Sequence, residues 1–255
     1  MNLIAIILSG FTVGVSLGLT GGGGSLLAIP LLVYAVGQSP HMALGTSLAS
    51  VGATAFSGAV RRMMEGRVEV RAGLLFAVLG SVGTYIGTRM NARVPGSVLL
   101  ILLAGLTVLL AVRMWCRASR EKNSCVVGER NEEKRFQPIP LVATAIGCGF
   151  ASGFFGIGGG FIVVPALVLV VGLSMDAAVA TSLLVISFNG AVGVISYAAQ
   201  GRAIDYSVAG IFVAGGLAGM WVGQKTGNHL NERMLSRLFA AVLLLVAMFL
   251  IYKNI

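Results

Sequence analysis

The sequence predicts an all-α integral membrane protein of two homologous halves set as inverted repeats, with about 8–10 membrane helices broken or re-entrant at two glycine runs. Three observations predict it. The first is composition: 56% of the 255 residues are hydrophobic and only 11% are charged, where a soluble domain carries about 25% charged residues. The second is a series of apolar segments, several near the ~20 residues that cross ~30 Å of hydrocarbon. The third is an internal repeat at a constant offset of 135 residues.

In order along the chain, the apolar segments of the first half fall at about 3–20, 25–38, 41–60, 72–90 and 96–115. The N-terminal MNLIAIILSGF lacks a basic leader region and a small-residue cleavage site, so it reads as the first membrane helix. Residues 117–137 hold four of the nine acidic side chains among many basic ones, which makes them a charged cytoplasmic linker. Pro138 and Pro140 mark the next helix start. The second half follows at about 139–156, 160–174, 177–199, 206–226 and 235–252. The domains are therefore a first transmembrane repeat at 1–116, the linker at 117–137 and a second repeat at 138–255. The second segment of each half is short and would span only ~22 Å.

The repeat runs without a gap for more than 60 residues. Gly14 and Gly18 align with Gly149 and Gly153, and Gly21, Gly23 and Gly24 align with Gly156, Gly158 and Gly159. Pro30 aligns with Pro165, Thr46-Ser47-Leu48 with Thr181-Ser182-Leu183, and Gly66-Arg67 with Gly201-Arg202. Shared apolar composition alone would scatter matches over many offsets, so the halves arose by duplication. Five crossings per half would make the second half enter from the opposite side. With the 61–71 loop inside, 14 Lys and Arg fall inside and 4 outside, against 13 and 5 if the halves were parallel. Length decides more than charge. Residues 3–38 as one helix would reach ~54 Å, and four successive glycines interrupt it.

The glycine runs are the leading candidate site: Gly21, Gly22, Gly23, Gly24 and Ser25 in the first half, and Gly156, Gly158, Gly159 and Gly160 around Ile157 in the second. Irregular backbone at membrane depth is tolerated where it lines a cavity or is buried in protein. The helix after each run offers free N–H groups and the positive end of its dipole, which bind anions without a cationic side chain. Against this stands a packing role, since Gly10, Gly14 and Gly18 form a small-residue ladder. The hydroxyl pairs Thr46-Ser47 and Thr181-Ser182 are candidate lining residues, with local backbone bonding as the alternative. Asn189 and Ser57 lie further along the same helices. Arg61, Arg62, Arg67 and Arg71 read chiefly as topology signals, and Trp115, Trp221 and Tyr252 as interface anchors.

Several functions are disfavoured. No Asp, Glu, Lys or Arg lies centrally in a span, and Asp176 and Asp205 sit at segment ends, so no coupling carboxylate is evident. The glycine runs lack the Gly-Lys-Ser/Thr of a P-loop, and neither HExxH nor GxSxG is present. Cys116, Cys125 and Cys148 show no metal or disulfide spacing, and the only histidines are His41 and His229. No catalytic residue, metal or cofactor is expected. The net charge of +9 clusters between apolar runs, which argues for topology and against nucleic acid.

The pattern Gly-x-Gly-Gly-Gly, an apolar helix with Pro, Ala-x-x-Thr-Ser-Leu and a Gly-Arg turn resembles the TauE/SafE family of sulfite-exporter-like permeases, also called the toluene sulfonate uptake permease family. Its carriers are Gly21 to Gly24, Pro30, Ala43, Thr46, Ser47 and Gly66-Arg67-Val68, then Gly156, Gly158 to Gly160, Pro165, Ala178, Thr181, Ser182 and Gly201-Arg202. The resemblance implies a permease of the bacterial inner membrane for a small sulfur-containing or organic anion such as sulfite or a sulfonate. Ile157 inside the second run and the long charged linker depart from the pattern and leave the substrate open. Expected partners are the anion and the bilayer, with a homodimer left open. The alternative is a membrane scaffold or subunit that transports nothing and binds a partner through the linker.

Overall fold

The computed structural model of the chain describes residues 3–96, seven residues between 98 and 108, residues 138–227 and Met248. Among them every regular element is helical. The linker 117–137, residues 109–115 and the segment 235–252 apart from Met248 lie outside the described residues.

The first half contributes α1 (Leu3–Thr20), α2 (Gly23–Pro30), α3 (Pro40–Met64) and α4 (Val70–Asn91). The second contributes α5 (Pro138–Phe155), α6 (Gly160–Ala166), α7 (Met175–Ala199) and α8 (Tyr206–Gly227). The helices α1, α3, α4, α7 and α8 are long and apolar enough to cross a membrane. Exposed Leu3, Ile4, Phe56, Met64, Ile195 and Trp221 on them suit a lipid-facing surface.

The glycine runs break the chain as the sequence predicts. α1 stops at Thr20, and α2 begins at Gly23 after a turn through Gly21. Each short helix then loosens into a π-helical turn, Leu31–Ala35 after α2 and Leu167–Val171 after α6. The cause lies within each helix, where Pro30 and Pro165 lack the N–H that an α-helical bond needs. The helical stretches Gly23–Ala35 and Gly160–Val171 would reach only about 20 Å and 18 Å at 1.5 Å per residue. Neither is long enough to span alone.

Packing follows the repeat but exchanges partners between halves. α1 lies along α8, where Gly10, Gly14 and Gly18 meet the backbone of Phe212, Gly216 and Met220. The equivalent pair is α5 along α4, where Gly149 meets Gly80 and Gly153 meets Thr84. A Cβ at any of these glycines would collide with main chain, so the small side chains set the helix spacing. Two modules result, α1–α2–α3 with α8 and α5–α6–α7 with α4. They join where α3 crosses α7 and where α2 meets α6. Leu48 meets Gly193 and Gly52 meets Gly190, so α3 and α7, which are repeat equivalents, run in opposite directions.

Candidate functional site

The two glycine runs converge. Gly22 precedes α2 and Gly159 precedes α6. A Cβ on Gly22 would strike the carbonyl of Gly160, and one on Gly160 would stand 2.9 Å from the Gly22 Cα. The two helix starts therefore touch backbone to backbone. Gly21 and Gly156 turn with φ of 70° and 67°, and Gly158 and Gly159 follow with 71° and 76°, a region that only glycine enters without strain.

Other members of the runs are held by their own module. Gly24 lies against the Val13 carbonyl and Leu17 of α1, and Gly159 lies against Ser152 of α5. The Gly23 N–H donates to Thr20 Oγ1 at 2.9 Å, and Ser25 Oγ donates to the Gly22 carbonyl at 2.6 Å. Ser25 is thus engaged by its own turn.

The hydroxyl pairs differ between the halves. Thr181 Oγ1 accepts the N–H of Glu69, the residue that precedes α4, at 3.0 Å. Ser182 Oγ donates to the carbonyls of Gly21 at 3.0 Å and Val179 at 2.8 Å. The second pair thus serves the backbone of the first half. Thr46 and Ser47 are fully buried, and among the described residues neither hydroxyl has a hydrogen-bond partner. Ser152 Oγ and both amide atoms of the buried Asn189 are in the same condition. Asn189 faces α4 at Gly80, where a Cβ would come within 3.2 Å of its amide. Leaving such groups unbonded costs about 1–3 kcal/mol each. Among the described residues, buried polar atoms without a partner thus include those of Thr46, Ser47, Ser152 and Asn189, beside Ser16 Oγ, the Gln38 amide and Arg62 Nε. Ser57 bonds its own helix at the Thr54 carbonyl.

Sequence reasoning missed two polar clusters that tie the modules at the ends of α3 and α7. Arg62 read as a topology signal, yet it is 2% exposed and its guanidinium donates to Asp176 Oδ1 at 2.9 Å. Arg67 reaches Asp176 Oδ2 at 3.5 Å. At the other end, Arg202 donates to Asn91 Oδ1 at 2.9 Å and lies 2.8 Å from His41 Nδ1. The Tyr197 hydroxyl donates to the same Asn91 oxygen at 3.2 Å, and the Arg202 guanidinium stacks 4.1 Å above the Tyr197 ring. Apart from the Arg202–Tyr197 stack, the partners are more than a hundred residues apart in sequence, so no local spacing announced them. The available signal was the repeat, which aligns both clusters.

A family model described as sulfite exporter TauE/SafE matches residues 6–250. The chain belongs to the TauE/SafE family. A relative in Xylella fastidiosa (strain 9a5c), named probable membrane transporter protein, is 34% identical over 256 residues, covering 99% of this chain and 96% of the relative. The Bacillus subtilis (strain 168) proteins YdhB and YunE carry the same designation. YdhB is 31% identical with 90% of this chain and 92% of its own length covered, and YunE is 26% identical with 100% and 99% covered. No solved structure matches. This TauE/SafE chain is thus a multi-pass protein of a membrane transporter family, with the bilayer as its environment and a small molecule as its cargo.

Proposed function

We propose that the chain is a secondary carrier that moves a small anion, sulfite, a sulfonate or a related organic anion, across the bacterial inner membrane. The observation that carries the reading is the meeting of the α2 and α6 N-termini at Gly22 and Gly160. Two helix starts aimed at one place concentrate partial positive charge and main-chain donors, which suits an anion. The hydroxyls of Thr46 and Ser47 and the amide of Asn189, unbonded among the described residues, are the further polar groups this reading draws on. The relatives' transporter designation and the sulfite-exporter description of the family agree with such a cargo.

The mechanism we favour is alternating access by inverted halves. Its support is the antiparallel crossing of α3 and α7, because a twofold axis that reverses equivalent helices lies in the membrane plane. The modules rock about this crossing, and the Arg62–Asp176 and Arg202–His41 clusters open in turn at the two mouths. The decisive measurement is flux in proteoliposomes loaded with sulfite or a short sulfonate. Wild-type chain transports one of them, and Gly22→Leu, which drives a side chain into Gly160, reduces flux by at least about tenfold. Absence of flux for every sulfite, sulfonate and carboxylate offered sinks the carrier reading.

A further inference from the structure

The 135-residue offset that aligns the glycine runs also aligns the two mouths. It brings Arg62 onto Tyr197, Arg67 onto Arg202 and His41 onto Asp176. The structure sets both constellations in equivalent places, the end of one long helix against the start of its repeat equivalent. Their charges differ. At the first mouth Asp176 is a built-in counter-ion for Arg62 and Arg67. At the second, a histidine stands where the carboxylate would be.

Among the described residues, Arg202 is consequently held only by neutral groups, the Asn91 carbonyl oxygen, the His41 ring nitrogen and the Tyr197 ring face. No carboxylate forms an ion pair with it among the described residues. The α7 C-terminus beside it offers about half a negative charge, which falls short of balance. Its holders are themselves fixed. Asn91 is fully buried and donates through Nδ2 to the Phe154 carbonyl at 2.6 Å, which turns its oxygen toward Arg202. Tyr197 is fully buried and donates to that same oxygen. A guanidinium has five N–H donors, and the bonds to Asn91 and His41 use two of them.

We infer that Arg202, positioned by His41, Asn91 and Tyr197, is a binding site for the anionic group of the substrate at the mouth opposite Arg62 and Asp176. The bound anion supplies there the counter-charge that Asp176 supplies at the other mouth. The ligand class is a small oxyanion, whose paired oxygens match the planar fork of a guanidinium. The inference rests on the anion-carrier reading above and adds to it a cationic site away from the glycine runs.

The test uses the full chain in detergent, with thermal unfolding followed in sodium sulfite, sodium methanesulfonate and sodium chloride at equal ionic strength. Sulfite or methanesulfonate raises the unfolding temperature of wild type above the chloride control. Arg202→Gln weakens that anion by about tenfold or more, and Arg202→Lys retains part of the binding. His41→Asp installs the carboxylate that the other mouth has, so it weakens the anion similarly while the anion-free protein unfolds no earlier. If Arg202→Gln unfolds before measurement, His41→Asp carries the test. Unchanged affinity in His41→Asp and Arg202→Gln overturns this site and leaves the carrier reading standing. A wild type that binds neither anion and transports no sulfite, sulfonate or carboxylate overturns both.

Discussion

At the scale of single residues, equivalent positions have diverged in use. Ser182 and Ser47 are repeat equivalents, yet one hydroxyl ties α7 to the Gly21 carbonyl and the other bonds nothing among the described residues. Ser182→Ala is expected to lower stability by about 1 kcal/mol, the net worth of an ordinary hydrogen bond. Ser47→Ala is expected to leave stability unchanged or raise it slightly, because it removes an unbonded polar group from a buried place, and to weaken transport. Thermal unfolding together with the concentration dependence of flux separates the two variants. Equal behaviour in both measurements would show that the asymmetry has no functional content.

The element scale is where the ends of α3 and α7 act. Arg62 is buried beside a half-exposed Asp176, with side-chain exposures of 2% and 42%. Breaking a fully buried pair costs 3–5 kcal/mol, and partial exposure of the carboxylate reduces that. Asp176→Asn is therefore expected to cost about 1–3 kcal/mol, seen as an unfolding temperature several degrees lower. A variant as stable as wild type would mean that Arg62 finds its counter-charge elsewhere. Element breaks at the glycine runs were legible in the sequence, because backbone that only glycine adopts leaves a signature in residue type. The π-helical turns after Pro30 and Pro165 were not, since proline removes a donor without dictating which carbonyl the next N–H will choose. Thr46, Thr181 and both serines entered as equals, because composition cannot reveal that Glu69 and Gly21 occupy one pair and leave the other unpartnered.

For the whole molecule, the duplication was plain from a constant offset, and the pairing of helices across halves was not. The glycine ladder of α1 fits any smooth partner, and nothing in Gly10, Gly14 or Gly18 names α8 in particular. The exchange makes each module a product of both halves, so the charged linker need not transmit force between them. Co-expressing 1–120 and 135–255 as separate chains is expected to restore a complex that co-purifies and transports, since the contacts of α1 with α8 and of α4 with α5 are non-covalent. Failure of the fragments to associate in the membrane would mean that continuity of the chain is itself required.

That exchange also imposes an order on biogenesis. During synthesis α1 enters the lipid roughly two hundred residues before α8 emerges. Until then its glycine face has no helix to close on, and lipid or the insertion machinery must shelter it. α4 waits far less, because it ends at Asn91 and α5 begins at Pro138. The module of α5, α6, α7 and α4 is therefore assembled first, and the module holding the N-terminus is assembled last. A ribosome stalled before residue 206 would leave the first glycine ladder open in the bilayer, a substrate for membrane quality control rather than a half-working transporter.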